Sequence, residues 1–216
     1  METSDLINLI QLMLKETTTT LGIFFVTFAA SVVLGILLAI GRKNRLKIVS
    51  MPIGAFLLLM RGTPLILQLM FFYFAPYYVF HATLPRFWAA VLAFSLNYSA
   101  YTCEIFRAGI DSIPVGQYEA ASILGFSKTE TFMKIILPQV VKRIVPPYTN
   151  ELMTLVKDTS LAQTIGVAEL FKVACTQMTH FFSTVPLIVA GVFYLIMNCI
   201  IGKAANIIEK KLDYYK

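Results

Sequence analysis

Residues 17–40 read TTTTLGIFFVTFAASVVLGILLAI, with no charge between Glu16 and Arg42. About 20 mostly apolar residues are enough for a helix to cross the hydrocarbon core of a bilayer. The stretch is longer than a signal-peptide core of about 7–15 residues. Its N-terminal flank (Glu2, Asp5, Lys15, Glu16) is net acidic, where a signal would be basic. It reads as a permanent membrane span.

The rest of the 216-residue chain agrees, with 57% hydrophobic and 14% charged residues. Soluble domains carry about 45–50% apolar and about 25% charged residues. A domain of this length leaves much of its surface wet, so the excess has no soluble core to enter. That excludes a soluble enzyme and a disordered chain. The cysteines, Cys103, Cys175 and Cys199, form no CxxC pair and offer neither a disulfide framework nor a zinc site. His81 and His180 fall in expected external loops with no partner ligand nearby, so no metal is expected.

Four more stretches complete an all-α integral membrane protein of five transmembrane helices, at about 17–40, 53–80, 87–106, 145–167 and 184–202. The second belongs to a longer apolar run, 48–80, interrupted by Arg61-Gly62-Thr63-Pro64. Its first part is expected partly at the interface, and the part after Pro64 completes the crossing. The fourth is weaker and holds Glu151, Lys157 and Asp158.

Loop charge sets the orientation. Arg42, Lys43, Arg45 and Lys47 follow the first span. Arg107, Lys128, Lys134, Lys142 and Arg143 separate the third from the fourth, and Lys203, Lys210, Lys211 and Lys216 form the tail. These thirteen share one side, against Lys15, Arg86 and Lys172 on the other. The positive-inside rule puts the thirteen in the cytoplasm, with the N-terminus outside and the C-terminus inside. The net charge of +6 is then a topology signal, and no nucleic-acid partner is expected.

The cytoplasmic loop, 107–144, is too long for a plain connection. A short helix is expected over 117–124, broken by Gly125. Ser127 then caps a second helix, with Glu130 as its capping-box partner and Pro138 disturbing it. Two short helices around a glycine elbow make a rigid knob, or equally an interfacial hairpin that only anchors the loop.

Here the residues carry a resemblance. Glu119-Ala120-Ala121, Gly125, and Ile135, Leu137 and Pro138 stand at the spacing of the EAA motif. The chain therefore resembles the membrane subunits of binding-protein-dependent ABC importers. Arg61-Gly62-Thr63-Pro64-Leu65 with Gln68, and residues 155–161 (LVKDTSL), look like the polar amino-acid uptake branch. The resemblance implies that the Glu-Ala-Ala helix couples to a separate ATPase. It also implies two ATPase copies, a second permease copy, an extracytoplasmic amino-acid-binding protein and a bacterial cytoplasmic (inner) membrane. The chain lacks a GxxxxGK[ST] phosphate loop, so no cofactor is expected in it, and ATP and Mg belong to the partner ATPase.

Charges at bilayer depth are expensive, which makes each a functional candidate. Glu151 and Asp158 lie seven residues apart, on one helical face, about 10.5 Å apart in rise. Glu151 is favoured as a cavity carboxylate for a cationic substrate group. Asp158 has two readings, a substrate contact or a pair with Lys157 or another cation. In the polar third span, Asn97, Tyr101 and Glu104 share a face. Asn97 is a cavity candidate, and Glu104 is expected to pair with Arg107. Arg61 is an anion-site candidate whose position favours a structural or snorkelling role. The alternative function is a self-sufficient secondary transporter or channel. Such proteins usually carry internal repeats, and no motif here occurs twice. A membrane enzyme ranks lower, for want of a Ser/His, paired-His or HExxH arrangement.

Overall fold

A computed structural model describes residues 3–212, and they are helical without a strand. Lys216, last of the tail cations, lies outside them. Helix α1 spans Thr3–Arg42; its 40 residues make a rod about 60 Å long at about 1.5 Å per residue. It starts well before the uncharged stretch. α4 (Arg86–Asp111) packs along it and is the central helix. Ala89, Ala90, Ala93, Ser99 and Ala100 of α4 are buried, and small side chains let helices approach closely where apolar burial gives little drive. Gly35 of α1 is such a contact, since a Cβ there would meet the Thr102 side chain at 2.5 Å. The polarity of α4 follows from its place: Ser95, Asn97, Tyr98 and Thr102 are buried against protein.

The apolar run 48–80 forms two helices, broken where Arg61-Gly62-Thr63-Pro64 interrupts it. α2 (Lys47–Gly62) and α3 (Leu65–Phe80) meet at 111°. Pro64 drives the residue before it out of helical conformation, and Thr63 is extended, with φ −119° and ψ 148°. The carbonyls freed at this break are met by side chains. Gln68 Nε2 donates to Met60 O at 2.9 Å, Thr63 O at 3.1 Å and Thr63 Oγ1 at 2.8 Å. Asn97 Nδ2 donates to Met60 O and to Gln68 Oε1, both at 2.9 Å. Asn97→Leu strands Gln68 Oε1 in a buried site, at a cost of about 1–3 kcal/mol. The purified protein should melt several degrees lower. An unchanged melting temperature would show that the bend is held by other contacts.

α5 (Val115–Ile123) and a helical turn (α6, Lys128–Glu130) form the knob. A π-helical turn, Thr131–Ile136, leads into α7 (Leu137–Asp158). The wide turn sits just before Pro138, whose missing N–H and bulky ring do not fit an unbroken α-helical ladder. The fourth span was expected over 145–167. Instead α7 begins at Leu137 and ends at Asp158, and Thr159–Ile165 is a 3-10 turn. A further helix, α8 (Leu170–Phe181), occupies the expected external loop and contains His180. α9 (Val185–Lys211) closes the chain.

By length and apolarity alone α1 and α9 suffice to cross a membrane, as do α2 and α3 if the bent pair counts as one span. α4 and α7 carry too many polar groups to meet that criterion. α4 hides them against its neighbours, whereas α7 turns part of them toward a cavity.

Candidate functional site: the coupling knob and the cavity on α7

The knob is built from local rules. α5 ends in a Schellman motif: Phe126 N donates to Ala121 O at 3.0 Å and Gly125 N to Ser122 O at 3.1 Å. This requires a left-handed residue at Gly125, whose φ is +79°. After the turn, Ser127 and Glu130 close a capping box, with Glu130 N donating to Ser127 Oγ at 3.3 Å and Ser127 N to Glu130 Oε2 at 3.2 Å. The Lys134 ammonium, followed by the Ser127 hydroxyl and amide, holds the Glu130 carboxyl down to about 2.

The EAA residues divide by face. Glu119 and Ala120 are exposed, whereas Ala121 turns inward. Ile123 (86% exposed) and Leu124 (74%) extend the outer face; an apolar patch of this kind on a short helix reads as a partner surface. On the inner side Ile113, Ile136 and Val140 form a small core, with Ile135 packed against it. Leu137 and Pro138 are partly buried at the start of α7.

Two side-chain bonds brace this arrangement. Gln139 Nε2 donates to Gln117 Oε1 at 3.4 Å, and the Arg143 guanidinium donates to the Ser112 carbonyl. The knob is thus fixed to the start of the same helix that carries Glu151. From Leu137 to Glu151 that helix rises about 21 Å at about 1.5 Å per residue.

A cavity of about 500 Å³ opens along α7 and α4, lined among others by Arg61, Tyr101, Glu104, Arg143, Pro147 and Glu151. Arg61 lies 5.7 Å over the Tyr101 ring and 3.6 Å from Glu104 Oε2. Glu104 is engaged more tightly by Arg107, at 2.7 Å. Arg107 also pairs with Asp111 at 3.1 Å, and Asp111 with Lys43 at 2.6 Å. Glu151 differs. It is half-buried, and no hydrogen bond or ion pair to it forms among the described residues.

Of the four candidates from sequence, the structure brings Arg61 and Glu151 to one cavity. Asp158 lies further along α7 and accepts a hydrogen bond from Tyr98 OH at 2.8 Å, and no ion pair to it forms among the described residues. Asn97 is 4% exposed. It braces the α2–α3 bend and does not line the cavity.

Glu169 escaped the sequence reading. It is fully buried and caps α8, accepting from Phe171 N at 2.8 Å and Lys172 N at 2.6 Å. Tyr194 OH of α9 donates to it at 3.1 Å, and Thr20 of α1 accepts from Leu170 N at 3.2 Å. Three helices meet there. The available signal was a Glu just ahead of Leu170 and Ala174, which stand at helical spacing.

Burial pushes the Glu169 carboxyl up to about 7 from its ordinary 4.5, against the pull of its hydrogen bonds. A carboxyl raised on folding is protonated more readily in the folded state. That preference is fully present below about pH 4.5 and is lost as pH rises through about 7. The wild type should therefore lose melting temperature across that interval, and Glu169→Gln should flatten the slope. Parallel slopes in thermal unfolding would show that another group governs it.

Residues 31–214 match the family model described as binding-protein-dependent transport system inner membrane component. The chain belongs to this family. It is 36% identical over 199 residues to the L-cystine transport system permease protein TcyB of Bacillus subtilis, covering 91% of this chain and 84% of that one. It is 36% identical over 194 residues to the arginine transport system permease protein ArtQ of the same organism, covering 89% of each. The crystal structure of an amino acid ABC transporter with histidines superposes with a TM-score of 0.89 at 28% identity, covering 98% of this chain and 99% of the other. The chain is a permease component of the ABC importer type, distinct from the ATPase.

Proposed function

We propose that this chain forms, with a second permease copy, the translocation path of an ATP-driven importer for a polar amino acid in the bacterial inner membrane. Two copies of an ATPase subunit bind below it and hold ATP and Mg; an extracytoplasmic binding protein delivers substrate above. Five crossings are assigned: α1, the bent pair α2–α3, α4, α7 with its 3-10 extension, and α9. The N-terminus is outside and the C-terminus inside. The whole chain acts as one membrane domain.

The observation that carries this reading is the knob. Its outer face presents Glu119, Ala120, Ile123 and Leu124 to a partner, and its inner face is bonded to the start of α7. A displacement at the ATPase surface is thereby carried along α7, past Pro146 and Pro147, to Glu151. The named substrates of the relatives, cystine and arginine, support an amino-acid cargo.

Cysteine labelling tests the orientation. A cysteine in place of Asn44 or Thr129 should react only from the cytoplasmic side, and one in place of Thr179 only from outside. Reversed labelling overturns the orientation and removes the knob from the ATPase.

A further inference from the structure

Beside the knob, the ends of α1, α4 and α7 leave a groove of about 650 Å³, a volume within the usual range for small-molecule sites. Ile36 and Ile40 of α1, Phe106 and Ile110 of α4, and Val141 and Ile144 of α7 form its walls. Ile40 is 67% exposed, so the groove opens on the flank of the long apolar helix. Lys43, which also pairs with Asp111 at 2.6 Å, brings the one charge to its lining, and Tyr118 of α5 brings a hydroxyl.

Lys43 also lines a neighbouring cavity of about 520 Å³ that gathers Arg42, Arg61 and Arg107 as well. Those four cations face only two carboxylates there, Glu104 and Asp111. Positive charge is left over at the mouth of an apolar slot, Arg45 follows in the turn after α1, and Lys47 begins α2. Under the orientation proposed above, this place is the cytoplasmic headgroup level. Basic pockets between helices on that side suit anionic lipid headgroups.

We infer that this groove is a binding site for an anionic phospholipid, with an acyl chain against the Ile36, Ile40, Phe106 and Ile144 side chains and the phosphate at Lys43. The occupant lies between α1 and Tyr118 of the coupling helix. It therefore braces the knob from the lipid side. Free phosphate satisfies Lys43 but leaves the apolar walls wet, and a zwitterionic lipid fills the slot without meeting the excess charge.

The inference rests on the proposed orientation, which the labelling at Asn44 tests separately; lipid binding is read directly. The complex assembled with its ATPase is stripped of lipid and titrated with phosphatidylglycerol, with phosphatidylcholine of the same chains, or with glycerol phosphate. Bound molecules are counted by native mass spectrometry. Phosphatidylglycerol should bind at least about tenfold tighter than phosphatidylcholine, with no competition from glycerol phosphate. Ile36→Trp, which adds bulk to the open wall of the slot, should remove bound lipid from complexes that still assemble. Lys43→Gln should abolish the preference for phosphatidylglycerol while chain binding persists. Equal affinity for both lipids, competition by glycerol phosphate, or an unchanged preference for phosphatidylglycerol in Lys43→Gln overturns the proposal. So does an assembled complex that binds no lipid, as when the ATPase or the second permease copy covers the groove.

Discussion

Gly125→Pro should leave the chain in the membrane at near wild-type amounts, reduce uptake at least about tenfold and abolish substrate stimulation of the partner ATPase. Proline fixes φ near about −65°, whereas Gly125 stands at +79°. The substitution also deletes the amide that donates to Ser122 O at 3.1 Å. The α5 helix then loses its ending, and the face bearing Glu119 and Ala120 is aimed elsewhere. Gly125→Ala isolates the backbone effect. No atom lies within 4 Å of the Cβ it adds, so its cost is the left-handed conformation alone, about 1–2 kcal/mol. It should give a milder loss of the same kind. Glu119→Lys reverses the charge of the outer face without touching the fold and should uncouple as well. Normal substrate-stimulated hydrolysis in Gly125→Pro and Glu119→Lys would contradict the docking role.

Glu151→Gln should weaken uptake of a cationic amino acid about 10- to 100-fold more than that of a zwitterionic one, on the order of 1.4–2.8 kcal/mol of discrimination. Glu151 shares its cavity with Arg61, yet Arg61 is engaged by Glu104 at 3.6 Å and by the Tyr101 ring. A half-buried carboxylate without a bonded partner is costly, and a substrate ammonium or guanidinium offsets that cost. Glutamine keeps the shape and removes the charge, so a neutral substrate should be nearly indifferent to it. Equal loss for both classes would assign Glu151 to the α-amino group common to all amino acids. Unchanged uptake of every substrate would make the residue structural and withdraw it as a site. Measuring the assembled complex in each case separates transport from assembly.

What could be read in advance depended on how local its cause was. α1 was legible because a long uncharged run has few alternatives, and the Ser127–Glu130 cap and the Gly125 elbow follow from neighbours within a few residues. The face of Ala121 was not legible, because its burial depends on how α5 packs against the Thr131–Ile136 turn. Asn97 shows the same limit. Helical spacing placed it beside Tyr101 and Glu104, but Gln68 and Met60 claim its amide. Those partners arrive through the Pro64 bend. Asp158 likewise meets Tyr98, a residue 60 positions away. Glu169 was missed because its carboxylate acts on backbone amides just after it and on Tyr194 of another helix. The break in the run 48–80 was legible at Arg61-Gly62-Thr63-Pro64, but the 111° bend was not, because Gln68 and Asn97 brace it from other turns and another helix.

Under the proposed function, this chain conducts only as part of an ATP-driven assembly. The most direct test is uptake into proteoliposomes containing the purified chain, with and without its ATPase, ATP and binding protein, and with an imposed ion gradient as the alternative drive. The account predicts amino-acid accumulation only when ATPase, ATP and binding protein are all present, and none from the gradient. Accumulation driven by the gradient in vesicles holding this chain alone would contradict it.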